Sequence, residues 1–221
     1  MIWDWTYAID ILPQMAEASL VTLRITVMGF ALAAVVGLVW AVLAITEIPV
    51  ISFAVRLFVE FMRSTPLVIQ LFAVYYFLPM YGIFLSATLT GVLVLGLHYS
   101  AYCAEVYRSG LEAVPRGQWE AARAINLSLP RTFRRIILPQ ALPPVILPLG
   151  NYFVAMFKET PVLLAITVIE LVATARIIGN DTFRYTEPIT LAGVFFLLLR
   201  LVAAQFMRWL DRRFAPPGHV L

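Results

Sequence analysis

Ionisable side chains are scarce in this chain, and those that fall inside apolar runs come in two similar clusters. Glu60, Arg63, Ser64, Thr65 and Pro66 interrupt one run; Lys158, Glu159, Thr160 and Pro161 interrupt another. Charged groups at membrane depth are costly and normally face a bundle interior or a wet cavity. Glu60 and Arg63 stand three apart, the spacing of a helical ion pair. In each cluster a hydroxyl residue precedes a proline, which removes a backbone donor and disfavours helical geometry just before it. The pattern reads as two discontinuous helices lining a transport path, with Glu60, Arg63, Thr65, Lys158, Glu159 and Thr160 as candidate lining groups. The competing reading is a pair of structural kinks whose charges close on each other.

Other chemistry is thinly represented. His98 and His219 lie far apart with no Cys or carboxylate at ligand spacing, so no metal site is expected. The single cysteine, Cys103, sits in an apolar run and reads as a small buried hydrophobe. No stretch has the form G-x-x-x-x-G-K-[ST], so this chain does not cradle ATP phosphates in that way. The arginines are spread over separate loops rather than gathered on one face, which argues against nucleic acid as a partner.

The elements that carry these clusters are membrane spans. Only 13% of the 221 residues are charged, about half the share of a soluble domain (roughly 25%). The sequence predicts five spans, at about 19–46, 53–78, 87–110, 138–165 and 188–210, and one transmembrane domain over 1–221. Residues 1–18, with Trp3, Trp5 and Tyr7 among Asp4, Asp10 and Glu17, read as an interfacial segment; they lack the basic start of a signal peptide. Gly29, Ala33 and Gly37 place small residues four apart on one face of the first span, a close-packing signal. Pro49 marks a tight turn over 47–50. The fourth span opens on Pro139, Pro143, Pro144 and Pro148 and is expected to be kinked there. Residues 170–187 read as a polar loop.

Charge sets the expected orientation. Residues 105–140 hold six arginines and 200–221 hold four, whereas 1–18 hold none. The positive-inside rule places the 115–137 loop and the C-terminus in the cytoplasm, with the N-terminus and the 170–187 loop outside. Five spans satisfy that parity.

The 115–137 loop is a polar island. Gly117 and Gln118 lead into a short helical pattern from Trp119 to Ile125, too short to stand alone in water. Trp119, Ala122 and Ile125 share one face. Asn126 is suited to the left-handed position that ends a helix. Ser128 and Pro130 suit the start of a second segment, and Phe133, Ile136 and Ile137 could seat it on the bundle. From periodicity alone, a helix presented to a soluble partner and an ordinary amphipathic loop both remain open.

The island resembles the E-A-A loop of the membrane subunits of ABC importers. Glu120-Ala121-Ala122 is followed by Asn126 at the family's glycine place and by Ile136-Ile137-Leu138-Pro139. More narrowly, the chain resembles the polar amino acid permease branch. Arg63-Ser64-Thr65-Pro66 is similar to R-G-T-P; Ser100-Ala101-Tyr102, Ala104-Glu105 and Val114-Pro115-Arg116-Gly117-Gln118 match S-A-Y-x-A-E and V-P-x-G-Q. Leu138-Pro139-Gln140-Ala141, Asn151 and Lys158-Glu159-Thr160 match L-P-Q-A, N and K-D-T. Ser64, Asn126 and the run Glu159-Thr160-Pro161 depart from the pattern, the first and last where ligand class is at stake. Asn126-Leu127-Ser128 and Thr182-Phe183-Arg184-Tyr185 look most like permeases assigned to ectoine and hydroxyectoine.

The resemblance implies an all-α, type I importer permease in a bacterial inner membrane. It implies two permease chains, identical or homologous, forming the path for a small polar solute. Two ATP-binding subunits would dock on the coupling helices and carry ATP and magnesium, and a periplasmic binding protein would deliver ligand. Gly117, Glu120, Ala121, Ala122 and Asn126 would make the ATPase coupling, with no bond chemistry in this chain. The rival from another class is an ion-driven secondary transporter or channel using Glu60, Arg63, Lys158 and Glu159.

Overall fold

The computed structural model describes residues 3–46 and 48–214; Glu47 in the expected 47–50 turn and His219 lie outside that set. Among the described residues the chain is all helix. Helix α1 spans Trp5–Ala44 and is capped by the Asp4 carboxylate, which accepts from the Thr6 and Tyr7 N–H groups. It takes in most of the segment expected to lie separately at the interface. At 1.5 Å per residue it is about 60 Å long, twice a hydrocarbon core. No Gly or polar run interrupts residues 5–18, and Ala8, Ile11, Met15 and Ala18 are buried on one face. The buried face carries the helix on through Pro13.

Helix α4 (Ala87–Glu112) lies beside α1 and runs parallel to it: Leu32 meets Gly96, and Gly37 meets Cys103 and Ser100. The small face of Gly29, Ala33 and Gly37 is the contact surface, all three buried. Two parallel helices need one return crossing between them. That crossing is α2 (Pro49–Ser64) followed by α3 (Leu67–Phe72), which continues in a π turn, Ala73–Phe77, and a 3-10 turn, Leu78–Tyr81. The interruption expected within 53–78 falls at Thr65 and Pro66, where the halves meet at 106°. Thr65 and Pro66 are both extended, and two extended residues redirect the chain.

After α4 come α5 (Arg116–Ala124) and α6 (Leu129–Thr132), the latter leading through a π turn, Phe133–Ile137, into α7 (Leu138–Ala141). Helix α8 (Pro143–Glu159) extends as a 3-10 segment, Thr160–Ile166. The fourth span is bent by 63° beside Pro143, as its prolines predict. Helix α10 (Thr186–Phe214) returns antiparallel to α8, packing Met207 on Gly150. Three long apolar helices and two bent pairs give up to five crossings.

The expected polar loop at 170–187 is instead largely a helix, α9 (Leu171–Thr182). Its polar groups form one face. Leu171, Ala175 and Ile178 form the other and pack on Ile11, Met15 and Ala18 of α1. Buried Glu170 caps it, accepting from Val172 and Ala173 N–H, and Thr22 accepts from Leu171 N–H.

Candidate functional site: an exposed helix and a charged helix break

Helix α5 sits at the end of the bundle where α1, α4 and α10 all terminate. Trp119 and Ala122 hold it down; Trp119 packs with Phe133 and Ile136 over buried Leu111, Val114, Ile137 and Ala141. The seating expected of Phe133, Ile136 and Ile137 is thus what the structure shows. Ile125 does not extend the packed face: it is 70% exposed, as is Leu129 at 71%. The reason is that the helix has already ended. Asn126 adopts φ 52°, the Leu127 N–H reaches back to Ala122 O at 3.0 Å, and the Asn126 N–H to Arg123 O at 2.9 Å. This paired closure is a Schellman motif, and it turns Ile125 outward. Ser128 occupies the next cap position without a side-chain bond.

Glu120, Ala121 and Asn126 face solvent; Ala122 is the buried member of the set. A Cβ on Gly117 would meet nothing within 4 Å, so no neighbour in this chain requires glycine there. The exposed surface of α5 therefore combines Glu120 with Arg116, Arg123 and small side chains, and Ile125 and Leu129 stand exposed just beyond its end.

The second assembly surrounds the break at Thr65 and Pro66. Arg63 lies with its guanidinium 5.6 Å from the centre of the Tyr102 ring on α4. Tyr102 stacks against His98 and Tyr152, with Tyr99 behind them. The Gln70 amide nitrogen is 2.6 Å from Thr65 Oγ1, and its oxygen is 3.1 Å from His98 Nδ1. A cation and an aromatic wall thus meet beside an unwound turn.

The six path candidates do not converge on one point. Arg63 and Thr65 belong to this assembly; Glu159 makes no hydrogen bond or ion pair with it among the described residues. Thr160 is buried, and its hydroxyl donates to Phe157 O at 2.9 Å, which makes it part of its own helix rather than of a path. Lys158 points the other way, into a groove with Arg200 of α10. Glu60 is 3.8 Å from Arg63 and accepts from Ser64. With Arg56, Trp40 and Arg108 it also lines a cavity of about 420 Å³ between α1, α2 and α4. At that distance and exposure the Glu60–Arg63 pair is worth ~1 kcal/mol or less.

Gln70, His98, Tyr152 and Arg200 were not among the expected site residues. Gln70 carried a signal: it is an amide inside the apolar run after Pro66. Tyr102 stood in the S-A-Y match, whereas Tyr152 had no signal, since an aromatic residue in a span reads first as core.

At the opposite end of the bundle, Arg184 bridges Asp4 (3.3 Å) and buried Glu187 (2.6 Å) and stacks 4.3 Å from the Tyr7 ring. Tyr7 shares a hydrogen bond with Thr182. The first turn of α1 is thereby tied to the α9–α10 turn.

A membrane-spanning helical bundle with a small, outward-facing helix on one side is the architecture of a permease subunit. The chain belongs to the family of binding-protein-dependent transport system inner membrane components, whose profile matches residues 33–216. It is 45% identical over 208 residues, 94% of this chain and 90% of the relative, to the probable amino-acid ABC transporter permease protein y4tG of Sinorhizobium fredii. It is 31% identical over 215 residues, 96% of this chain and 98% of the relative, to the glutamine transport system permease protein GlnP of Escherichia coli. Its fold superposes with a TM-score of 0.87, at 30% identity, on a chain of the crystal structure of an amino acid ABC transporter with histidines, covering 96% of this chain and 100% of that one. The fold is that of type I ABC importer permeases.

Proposed function

We propose that this chain is the transmembrane permease subunit of an ABC importer that moves a polar amino acid, or an amino-acid-like solute, across a bacterial inner membrane. The observation that carries the proposal is α5: a helix of nine residues, seated on the bundle by Trp119 and Ala122, whose Glu120, Ala121 and Ile125 remain open to a partner. Burying that surface requires another chain. A pair of ATP-binding subunits fits the role, with Gly117, Glu120, Ala121, Ala122 and Asn126 forming and terminating the docking helix. ATP and magnesium then act on those subunits, and this chain makes and breaks no bonds. A periplasmic binding protein delivers ligand at the Asp4 and Arg184 end, and a second permease, identical or homologous, completes the path. The arginine bias places α5 and the C-terminus in the cytoplasm and the N-terminus outside.

Amino acids as the substrate class rest on the relatives' names and on the chemistry at the break. Arg63 suits a carboxylate, and the tyrosine faces suit an ammonium group. Ectoine and hydroxyectoine fall within the class, but the residues that resemble their permeases do structural work. Asn126 closes α5, Thr182 bonds Tyr7, and Tyr185 bonds Asn180.

The test is reconstitution in proteoliposomes with an ATP-binding subunit and a binding protein, measuring uptake of radiolabelled amino acids and ectoine. Uptake should require ATP. Glu120→Arg should abolish uptake and stimulated ATPase activity while the chain still inserts. Full ATP-dependent uptake by Glu120→Arg would remove the docking role; uptake by this chain alone, driven by an ion gradient, would favour a secondary transporter.

A further inference from the structure

Pro66 has no N–H, so the Met62 carbonyl, four residues earlier, loses its helical donor. The Thr65 carbonyl is also left without its helical partner, because the Ile69 N–H goes to Pro66 O instead. The buried Gln70 side chain turns its two N–H groups toward both carbonyls and the Thr65 hydroxyl. Its Nε2 donates to Met62 O at 2.9 Å, lies 3.3 Å from Thr65 O, and lies 2.6 Å from Thr65 Oγ1. Two carbonyl oxygens can be satisfied only by a donor, so the amide cannot be turned over. Its oxygen must then face His98, and at 3.1 Å from His98 Nδ1 it can only accept. The proton on a neutral His98 ring is therefore at Nδ1, the minor tautomer of a histidine side chain in water.

We propose that Gln70 and His98 form a strut that sets the break and positions Arg63 on Tyr102, with His98 held in its Nδ1–H form. The strut joins the two elements that carry the cation and its ring. Arg63 follows Met62 directly, and Tyr102 stands one turn beyond His98, their rings 5.4 Å apart. Losing the Gln70 amide strands the buried Met62 carbonyl, removes the bond to Thr65 Oγ1 and frees the halves to change their 106° angle. The bearing on transport rests on the permease reading; the geometry does not.

Nitrogen-15 NMR of histidine-labelled protein in nanodiscs decides the matter. The chain has two histidines, so His219→Asn leaves His98 as the sole signal. Nδ1 should resonate as a protonated nitrogen and Nε2 as an unprotonated one, and Gln70→Leu should shift the ring to the Nε2–H form. Wild-type protein in the Nε2–H form, or an unchanged spectrum in Gln70→Leu, would overturn the strut. Spin labels at exposed positions 50 and 80, in a Cys103→Ser background, report the angle of the break. Gln70→Leu and His98→Phe should both broaden a single narrow distance, and His98→Asn, which keeps a donor, should restore it. A distance unchanged in both variants would equally refute positioning. Loss of ATP-dependent uptake in wild type would count against the permease reading and leave the tautomer result standing.

Discussion

Replacing Gly37 with alanine tests the packing that makes α1 and α4 one unit. A Cβ at Gly37 would lie 2.6 Å from Cys103 Cβ, 2.8 Å from Ser100 O and 3.1 Å from Ala104 N. Two of those atoms are backbone, and the third is fixed to it, so no side-chain rotation relieves the clash. Carbon pairs prefer ~3.5–4.0 Å, so α1 must recede by roughly 1 Å, a gap that forfeits a quarter to a half of each contact's attraction. The loss runs along the buried stripe of Gly29, Ala33, Gly37 and Ala41. In a membrane, small-residue packing of this kind is a main source of helix association. The expected cost is ~1–3 kcal/mol, the range of overpacked cores. The assay is reversible unfolding of the purified protein in mixed micelles, read by tryptophan fluorescence. Gly193→Ala is the control: it also lies in a helix, and its Cβ would meet nothing within 4 Å. Removing the entropic handicap of a helical glycine there should gain up to ~1 kcal/mol. Equal stability of Gly37→Ala and wild type would refute the parallel α1–α4 contact as drawn.

Three further outcomes are expected. Asn126→Val should cost ~1–2 kcal/mol locally, because a β-branched residue does not tolerate positive φ; recovery of the ATPase in a pull-down should fall, whereas Asn126→Gly should bind normally. Arg63→Ala should weaken uptake while Thr160→Val should not, since the Thr160 hydroxyl is spent on Phe157 O; equal effects would place both in the path or neither. The Asp4 carboxyl is held below its ordinary value first by the Tyr7 N–H and then by Arg184. Its contribution is therefore present above the ordinary carboxylate range and is lost as pH falls through the lowered value. A thermal midpoint followed downward from pH 5 should show a component that Asp4→Asn removes.

Much of the coupling surface could be read from residues alone because its determinants are local. Asn126 ends a helix by its own backbone preference, and the bonds that close the motif come from within five residues. The small face at Gly29, Ala33 and Gly37 was also legible, since side-chain size and helical period suffice. Ile125 was misplaced because helical periodicity was carried one residue past the point where the helix stops. Residues 171–182 were read as a loop because Glu170, Arg176 and Asp181 dominate their composition; only the opposing face of α1 reveals that the apolar positions are buried.

The sequence by itself determined that the chain lives in a membrane, that it crosses about five times, that two prolines interrupt charged segments, and that one polar island stands apart. Those properties follow from transfer free energy and backbone chemistry, which each residue carries with it. Tertiary structure decided the rest. It turned the break at Thr65 and Pro66 through 106°, sent Lys158 toward Arg200 and away from Arg63, and set Gln70 between orphaned carbonyls and His98. Which charges share a space depends on how helices distant in sequence are rotated against one another. That rotation is fixed by packing across the whole bundle, and no stretch of sequence states it alone.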